Sequence, residues 1–390
     1  MPVLTSSRTF LLAAVLLAAF NLRTVLGSLP PLLETVRAEL ALGFSAIGIL
    51  GAIPIACMAV FPPLAVRPAA RFGPERVLFT AVIATAIAAL LRWGSDHVAL
   101  LYGSTVAAGI SVAVTHAMLA PTVKRAFAAD AAGVMGLVAT MMTVSAGIAA
   151  GGTAYLADAF GSWTLALAVW AIPALVGVAL WLPIARAAVP VALERTAYRI
   201  PWRSGIAWRI TTVAAAAGTL FWSIFTWMPP IYQDAGWSKT AAGLITATMV
   251  IAQAPTTFAV AALAKRIPDR RWLIAAGLAL CVTGAAGFAF TPYDGAWVWA
   301  IVTGAGIGFI FPLAQMLPID FGRDPPETAG LAAMALSVGY ACAALGPLAI
   351  GWLREVTGSY VAPLVLMMAI AGAAFYAIGG LKPRAPDASR

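Results

Sequence analysis

Charge is what this sequence has least of. Only 10% of its 390 residues are Asp, Glu, Lys or Arg, against 62% hydrophobic, too few ionic side chains to cover a water-soluble surface. Histidine is limited to two residues and cysteine to three. Cys57, Cys281 and Cys342 sit inside apolar stretches without CxxC or Cys/His spacing, so neither a disulfide framework nor a metal site is indicated, and packing is their expected role. No GxxxxGK[ST] occurs, because "GWSKT" at 236–240 has no glycine before its lysine. ATP hydrolysis is therefore not expected, and neither a cofactor nor an enzymatic activity is indicated. The glycines of "GAGIGF" at 304–309 and "AGIAAGG" at 146–152 do not form a dinucleotide fingerprint after a strand and read as close helix packing.

What is present is a series of apolar runs long enough to cross a bilayer, each needing about 20 residues. Twelve helices are expected, near 9–31, 44–66, 76–94, 98–121, 133–157, 163–185, 208–229, 239–263, 272–291, 296–318, 328–353 and 360–380. The first is not a signal peptide, since it runs through Arg23 without an A-x-A-like site and further spans follow. The net charge of +9 comes from short basic clusters between the runs, which is not the stripe expected of a nucleic-acid binder. With the N-terminus inside, only Arg37, Arg92, Lys239 and Arg354 of the 24 basic residues fall outside, and Arg23 lies in mid-span. That bias puts both termini in the cytoplasm. A monomer in lipid is expected.

The chain also repeats. Pro121, Asp130, Gly133, Gly161, Ser162 and Trp163 match Pro318, Glu327, Gly330, Gly358, Ser359 and Tyr360, every pair 197 positions apart. "SAIGIL" at 45–50 answers "TAAGLI" at 240–245, and "ARFGPERVL" at 70–78 answers "KRIPDRRWL" at 265–273. This predicts an all-α membrane protein of two pseudo-symmetric six-helix halves, 1–185 and 208–390, joined by a basic, proline-bearing cytoplasmic linker at 186–207. Six spans return the chain to the same side, so the halves are parallel. This resembles the architecture of the major facilitator superfamily, whose substrates bind near the midplane between the halves.

Arg23 is the residue that needs explaining. An arginine at the bilayer centre costs roughly 2.5 to 3.5 kcal/mol on insertion scales and usually faces a bundle interior or polar cavity. No Asp or Glu shares its depth in the sequence; Glu34 is about 16 Å further along a helix. A substrate anion, or a strong acceptor, suits the planar guanidinium. Pairing with Asn21 and helix carbonyls is the structural alternative. The proline pairs ending at Pro31 and Pro230 align Arg23 with Trp222, whose indole supplies a flat wall for a planar ligand. Thr219, Trp222 and Thr226 recur at helical spacing and are expected to line the same cavity. Gln253 and Gln315 read equally as cavity donors or interhelical contacts. His116 is a possible proton relay, weighed against a hydrogen-bonded bundle histidine several turns from Arg23.

"FNLRTVLGSLPPLL", "RFGPERVLF", "TWMPPIYQDAGWSKTAAGL" and "GLAAMALSVGYACAALGPLAIGWLREVTGS" resemble the cyanate and 2-nitroimidazole transporter family over nearly the whole chain. The resemblance implies a bacterial inner-membrane carrier for small anions or planar, electron-poor heterocycles. The wider superfamily's G-x-x-x-D-R-x-G loop is only partly kept, with Val66 at the first glycine and Ala70 at the aspartate, but Arg71 and Gly73 in place. A drug exporter built on Phe221, Trp222, Phe225 and Trp227 is the rival within transport, and a membrane sensor or scaffold the rival outside it.

Overall fold

The structure, a computed structural model, describes residues 8–188, 199–267 and 269–381. Linker residues 189–198, with Arg195 among them, and the basic residues Lys382, Arg384 and Arg390 lie outside them. Among the described residues there are only helices and turns. Twelve helices, numbered 1 to 12 in chain order, are long and apolar enough to span: Arg8–Glu39, Phe44–Phe72, Pro74–Gly94, Val98–Ala126, Ala128–Phe160, Trp163–Ala187, Gly205–Asp234, Lys239–Ala264, Arg271–Phe290, Ala296–Phe321, Pro325–Thr357 and Val361–Gly379. Most run past the expected ends. Backbone hydrogen bonding does not stop where the apolar run stops, so a helix continues into the polar interface until a proline or glycine breaks it.

By internal contacts the chain divides into two compact units, Met1–Glu194 with Phe225–Ala247, and Arg195–Ile224 with Thr248–Arg390. Within the first, helix 3 packs on helices 4 and 6; within the second, helix 9 packs on helices 10 and 12. The repeat is visible in the backbone as well. Gly161 and Gly358, 197 positions apart, end helices 5 and 11 with φ of 62° and 67°, a left-handed conformation that glycine adopts without steric cost.

One pair of contacts keeps its geometry and reverses its sign. Arg125 Nη1 lies 3.1 Å from Glu75 Oε2, and Arg270 Nη1 lies 2.6 Å from Asp320 Oδ2. Each joins the start of the third helix of its repeat to the end of the fourth, across fifty residues. Both are partly exposed, where an ion pair contributes at most about 1 kcal/mol. Glu75→Arg or Arg125→Glu alone should therefore lower thermal stability slightly, and the double exchange should restore it. A double variant no more stable than the worse single one would show that the pair is incidental.

Candidate functional site

The site begins where helix 1 breaks. Its regular part ends at Gly27, and Pro30 and Pro31 turn the chain through a short 3-10 segment, Pro30–Leu32. Carbonyls of the last turn lose their intrahelical partners there. A buried arginine takes up one of them: Arg92, 1% exposed, donates from Nη1 to Val25 O at 2.8 Å and to Ser28 Oγ at 3.0 Å. A cation at a helix C-terminus also meets the negative end of the helix dipole. Arg92, counted from the sequence among the few basic residues on the outer side, is buried at that end of helix 3 and folds inward onto helix 1. Truncation by Arg92→Met would remove the charged donor at roughly 1–3 kcal/mol, while Ser28 Oγ still donates to Val25 O at 3.2 Å. A drop in melting temperature of several degrees is expected, and Arg92→Lys should recover part of it.

From residue 21 to residue 33 of helix 1, Arg23 is the one side chain that keeps solvent access. It continues a stripe of accessible positions, Ala13, Leu16 and Phe20, at three- and four-residue spacing. The stripe runs from the N-terminal end of the helix and stops at the guanidinium. His116 on helix 4 is likewise half-buried, with exposed Ala120 and Lys124 following at four-residue steps. The Arg23 charge acts on this imidazole, so the two groups lie within electrostatic reach. Residue counts along two separate helices do not by themselves give relative depth when the helices cross at an angle.

Asn21 belongs to a different face. It is 2% exposed and donates from Nδ2 to Pro173 O of helix 6 at 3.0 Å. Gly177 leaves the space, since a Cβ there would stand 3.0 Å from the same nitrogen. Two residues are about 200° around a helix, so Asn21 fastens helix 1 to helix 6 while Arg23 points away. Asn21, beside Arg23 in the sequence, is thus a helix-packing residue in the structure.

The helix 7 trio is also divided. Thr219 belongs to the second unit and packs on helix 11, its Cγ2 standing 2.8 Å from where a Cβ on Gly346 would be. It lines, with Thr212, Ala215, Leu345 and Ile370, a groove of about 330 Å³. Trp222 is 3% exposed and meets Phe221 edge-on at 5.0 Å. Thr226, 3% exposed, falls in the first unit. A step of three residues leaves about 60° between side chains, enough to put Thr219 on a neighbouring helix instead of a shared cavity. The face that does line a cleft carries Ala214, Ala217 and Gly218, opposite Gln315, Phe311 and Tyr340. That cleft is about 20 Å³, room for roughly one water. Sequence reasoning does not single out Phe311 and Tyr340, because an aromatic in an apolar helix carries no positional signal. Gln253 touches helix 10 through its backbone, a Cβ on Gly308 falling 2.6 Å from its carbonyl. Among the described residues no cluster of His, Cys, Asp and Glu could hold a metal ion.

The profile of the family described as Major Facilitator Superfamily matches residues 11–347 and 230–389. The 2-nitroimidazole transporter of Escherichia coli (strain K12) is 30% identical over 376 residues, 94% of this chain and 95% of that one. The cyanate transport protein of the same organism is 28% identical over 354 residues, 90% and 91% of the two chains. A solved bacterial homolog of the human lysosomal transporter Spinster superposes with a TM-score of 0.78 at 15% identity, covering 98% of this chain and 99% of that one, and so shows the shared fold. Twelve apolar helices in two repeats, with relatives of this kind along the whole chain, make this protein a multi-pass membrane transporter of the Major Facilitator Superfamily, not an enzyme.

Proposed function

We propose that this transporter carries small anionic or strongly polar planar solutes, cyanate-like or nitroheterocycle-like, across the bacterial inner membrane by alternating access of its two six-helix halves. The observation that carries the reading is Arg23: a guanidinium deep in an apolar bundle, at the end of an accessible stripe and within electrostatic reach of His116. A planar fork of donors in a site poor in water binds carboxylate-like and nitro-like oxygens in two parallel hydrogen bonds. The names of the cyanate and 2-nitroimidazole relatives agree with that chemistry. On the second unit the reading keeps Gln315, which lines the small cleft facing helix 7, as a further candidate. Both termini are cytoplasmic in this reading, as the positive-inside bias indicates.

The exporter reading loses support. Phe221, Trp222, Phe225 and Trp227 are at most 6% exposed; Phe225 lies against Gly27 and Trp227 near Phe44. Aromatics engaged in helix packing do not offer a broad apolar site. Uptake into proteoliposomes of a panel of small anions, nitroimidazoles and lipophilic cations tests the proposal. Accumulation of anions or nitroheterocycles is the expected result, and preference for lipophilic cations would overturn it.

Coupling is expected to run through the substrate, which enters with its own proton or in exchange for another anion, because no carboxylate stands at mid-depth in the sequence. His116→Gln keeps a hydrogen-bonding group at this position and should retain most transport and its dependence on a pH gradient. Exchange that survives this substitution while uphill accumulation disappears would make His116 the coupling residue instead.

A further inference from the structure

A second site lies on the outside of the first unit, where helices 2, 3 and 4 leave a groove of about 430 Å³. Phe61, Leu64, Pro68 and Phe72 of helix 2 form one wall, and Val77 and Val114 contribute from helices 3 and 4. Leu64 is 57% exposed and Phe72 46%, so the groove opens to the surroundings of the bundle. Val114 is two residues, about 200° around helix 4, from His116. The groove is therefore on the opposite face of that helix from the proposed substrate site.

One end of this groove is strongly basic. Arg76 is part of its lining, and Arg67 and Arg71 are exposed on the last turns of helix 2. Arg76 uses Nε on Ala185 O at 3.1 Å, and Arg71 lies over the Phe72 ring at 5.2 Å. None of the three forms an ion pair among the described residues. At the same level Arg125 is matched by Glu75, and in the second unit Arg270 and Arg271 are matched by Asp320 and Asp269. The neighbouring carboxylate at this turn, Glu75, is taken by Arg125. The groove of the second unit, between helices 7, 11 and 12, has no charged lining residue.

We infer that the groove of helices 2 to 4 is a binding site for an anionic phospholipid, with an acyl chain along Phe61, Leu64 and Val77 and the phosphate among Arg67, Arg71 and Arg76. An apolar trough ending in uncompensated arginines complements an amphiphile with one negative headgroup. The positive-inside bias makes this the cytoplasmic leaflet, where a basic pocket between helices meets anionic headgroups directly.

Native mass spectrometry of the full-length detergent-solubilised protein, titrated with phosphatidylglycerol or with phosphatidylcholine, reads the site. The expected result is at least tenfold preference for phosphatidylglycerol. The triple variant Arg67→Gln, Arg71→Gln, Arg76→Gln should lose that preference. Val114→Trp, which fills the groove and leaves the arginines in place, should lower retention of phosphatidylglycerol, whereas Ala349→Trp in the uncharged groove should not. A triple variant that keeps the wild-type preference would overturn the site. So would water-soluble glycerophosphate competing as well as the lipid does, because the acyl groove would then contribute nothing. Melting curves accompany each variant, and an unfolded triple variant leaves Val114→Trp against Ala349→Trp to decide. Substrate uptake is not the readout, so the proposed transport specificity stands or falls separately.

Discussion

Replacing Arg23 by alanine should reduce transport of the anionic or nitro-bearing substrate by about 100-fold or more. Two charge-assisted hydrogen bonds at roughly 1.5–3 kcal/mol each set that scale. Arg23→Lys keeps the charge but presents a point donor in place of a planar fork. It should retain measurable transport at about one tenth of the wild-type efficiency, with the loss mainly in KM. The fold should survive both changes, since Arg23 is the one residue between 21 and 33 that is not packed away. Initial uptake rates in proteoliposomes, with melting curves to establish folding, measure both. Near-normal uptake by a folded Arg23→Ala protein would remove Arg23 from the site and the proposed substrate class with it.

The architecture is readable in the sequence because its signals are additive over long stretches. Twelve apolar runs, a basic bias between them and a 197-residue self-match each involve many residues, so no single ambiguity changes the reading. The glycines at 161 and 358 show how far this reaches: they match as letters, and both take a left-handed turn in the structure. The candidate site is less legible. Asn21 and Arg23 sit two apart in one polar patch of sequence, but that spacing puts them on nearly opposite faces, one on helix 6 and one within electrostatic reach of His116. Arg92 escapes sequence reasoning for a related reason. A basic residue at the end of an apolar run reads as an interfacial anchor, and nothing local shows that the proline break of helix 1 leaves a carbonyl for it to meet. Helix ends are read from the chain's own letters, whereas the partners of a buried polar group come from elsewhere in the fold.

Helix 10 should prove the most sensitive element of the second unit, with Gly304→Val its most damaging single change. Its "GAGIGF" segment divides its glycines between two neighbours. A Cβ on Gly304 would collide with the Met249 carbonyl and crowd Ala252, and one on Gly308 would collide with Thr256 of the same helix 8. Gly306, between them, faces helix 9, where a Cβ would stand 2.7 Å from Gly277 O and 2.8 Å from Cys281 Sγ. The alternation follows from the period of the helix, four residues returning to one face and two crossing to the other. Without a hydrophobic driving force between helices in lipid, such close backbone approach supplies much of the association energy. Overpacking by one methyl costs about 1–3 kcal/mol, and the obstacle at 304 is backbone, which cannot rotate away. Gly304→Ala should therefore lower the melting temperature clearly and Gly304→Val should yield little folded protein. Gly372 of helix 12 supplies the comparison, because nothing lies within 4 Å of a Cβ built there. Gly372→Ala gains helix propensity of up to about 1 kcal/mol and should be neutral or slightly stabilising. Equal melting temperatures for Gly304→Ala and Gly372→Ala would mean that helices 8 and 10 do not approach as closely as this geometry requires.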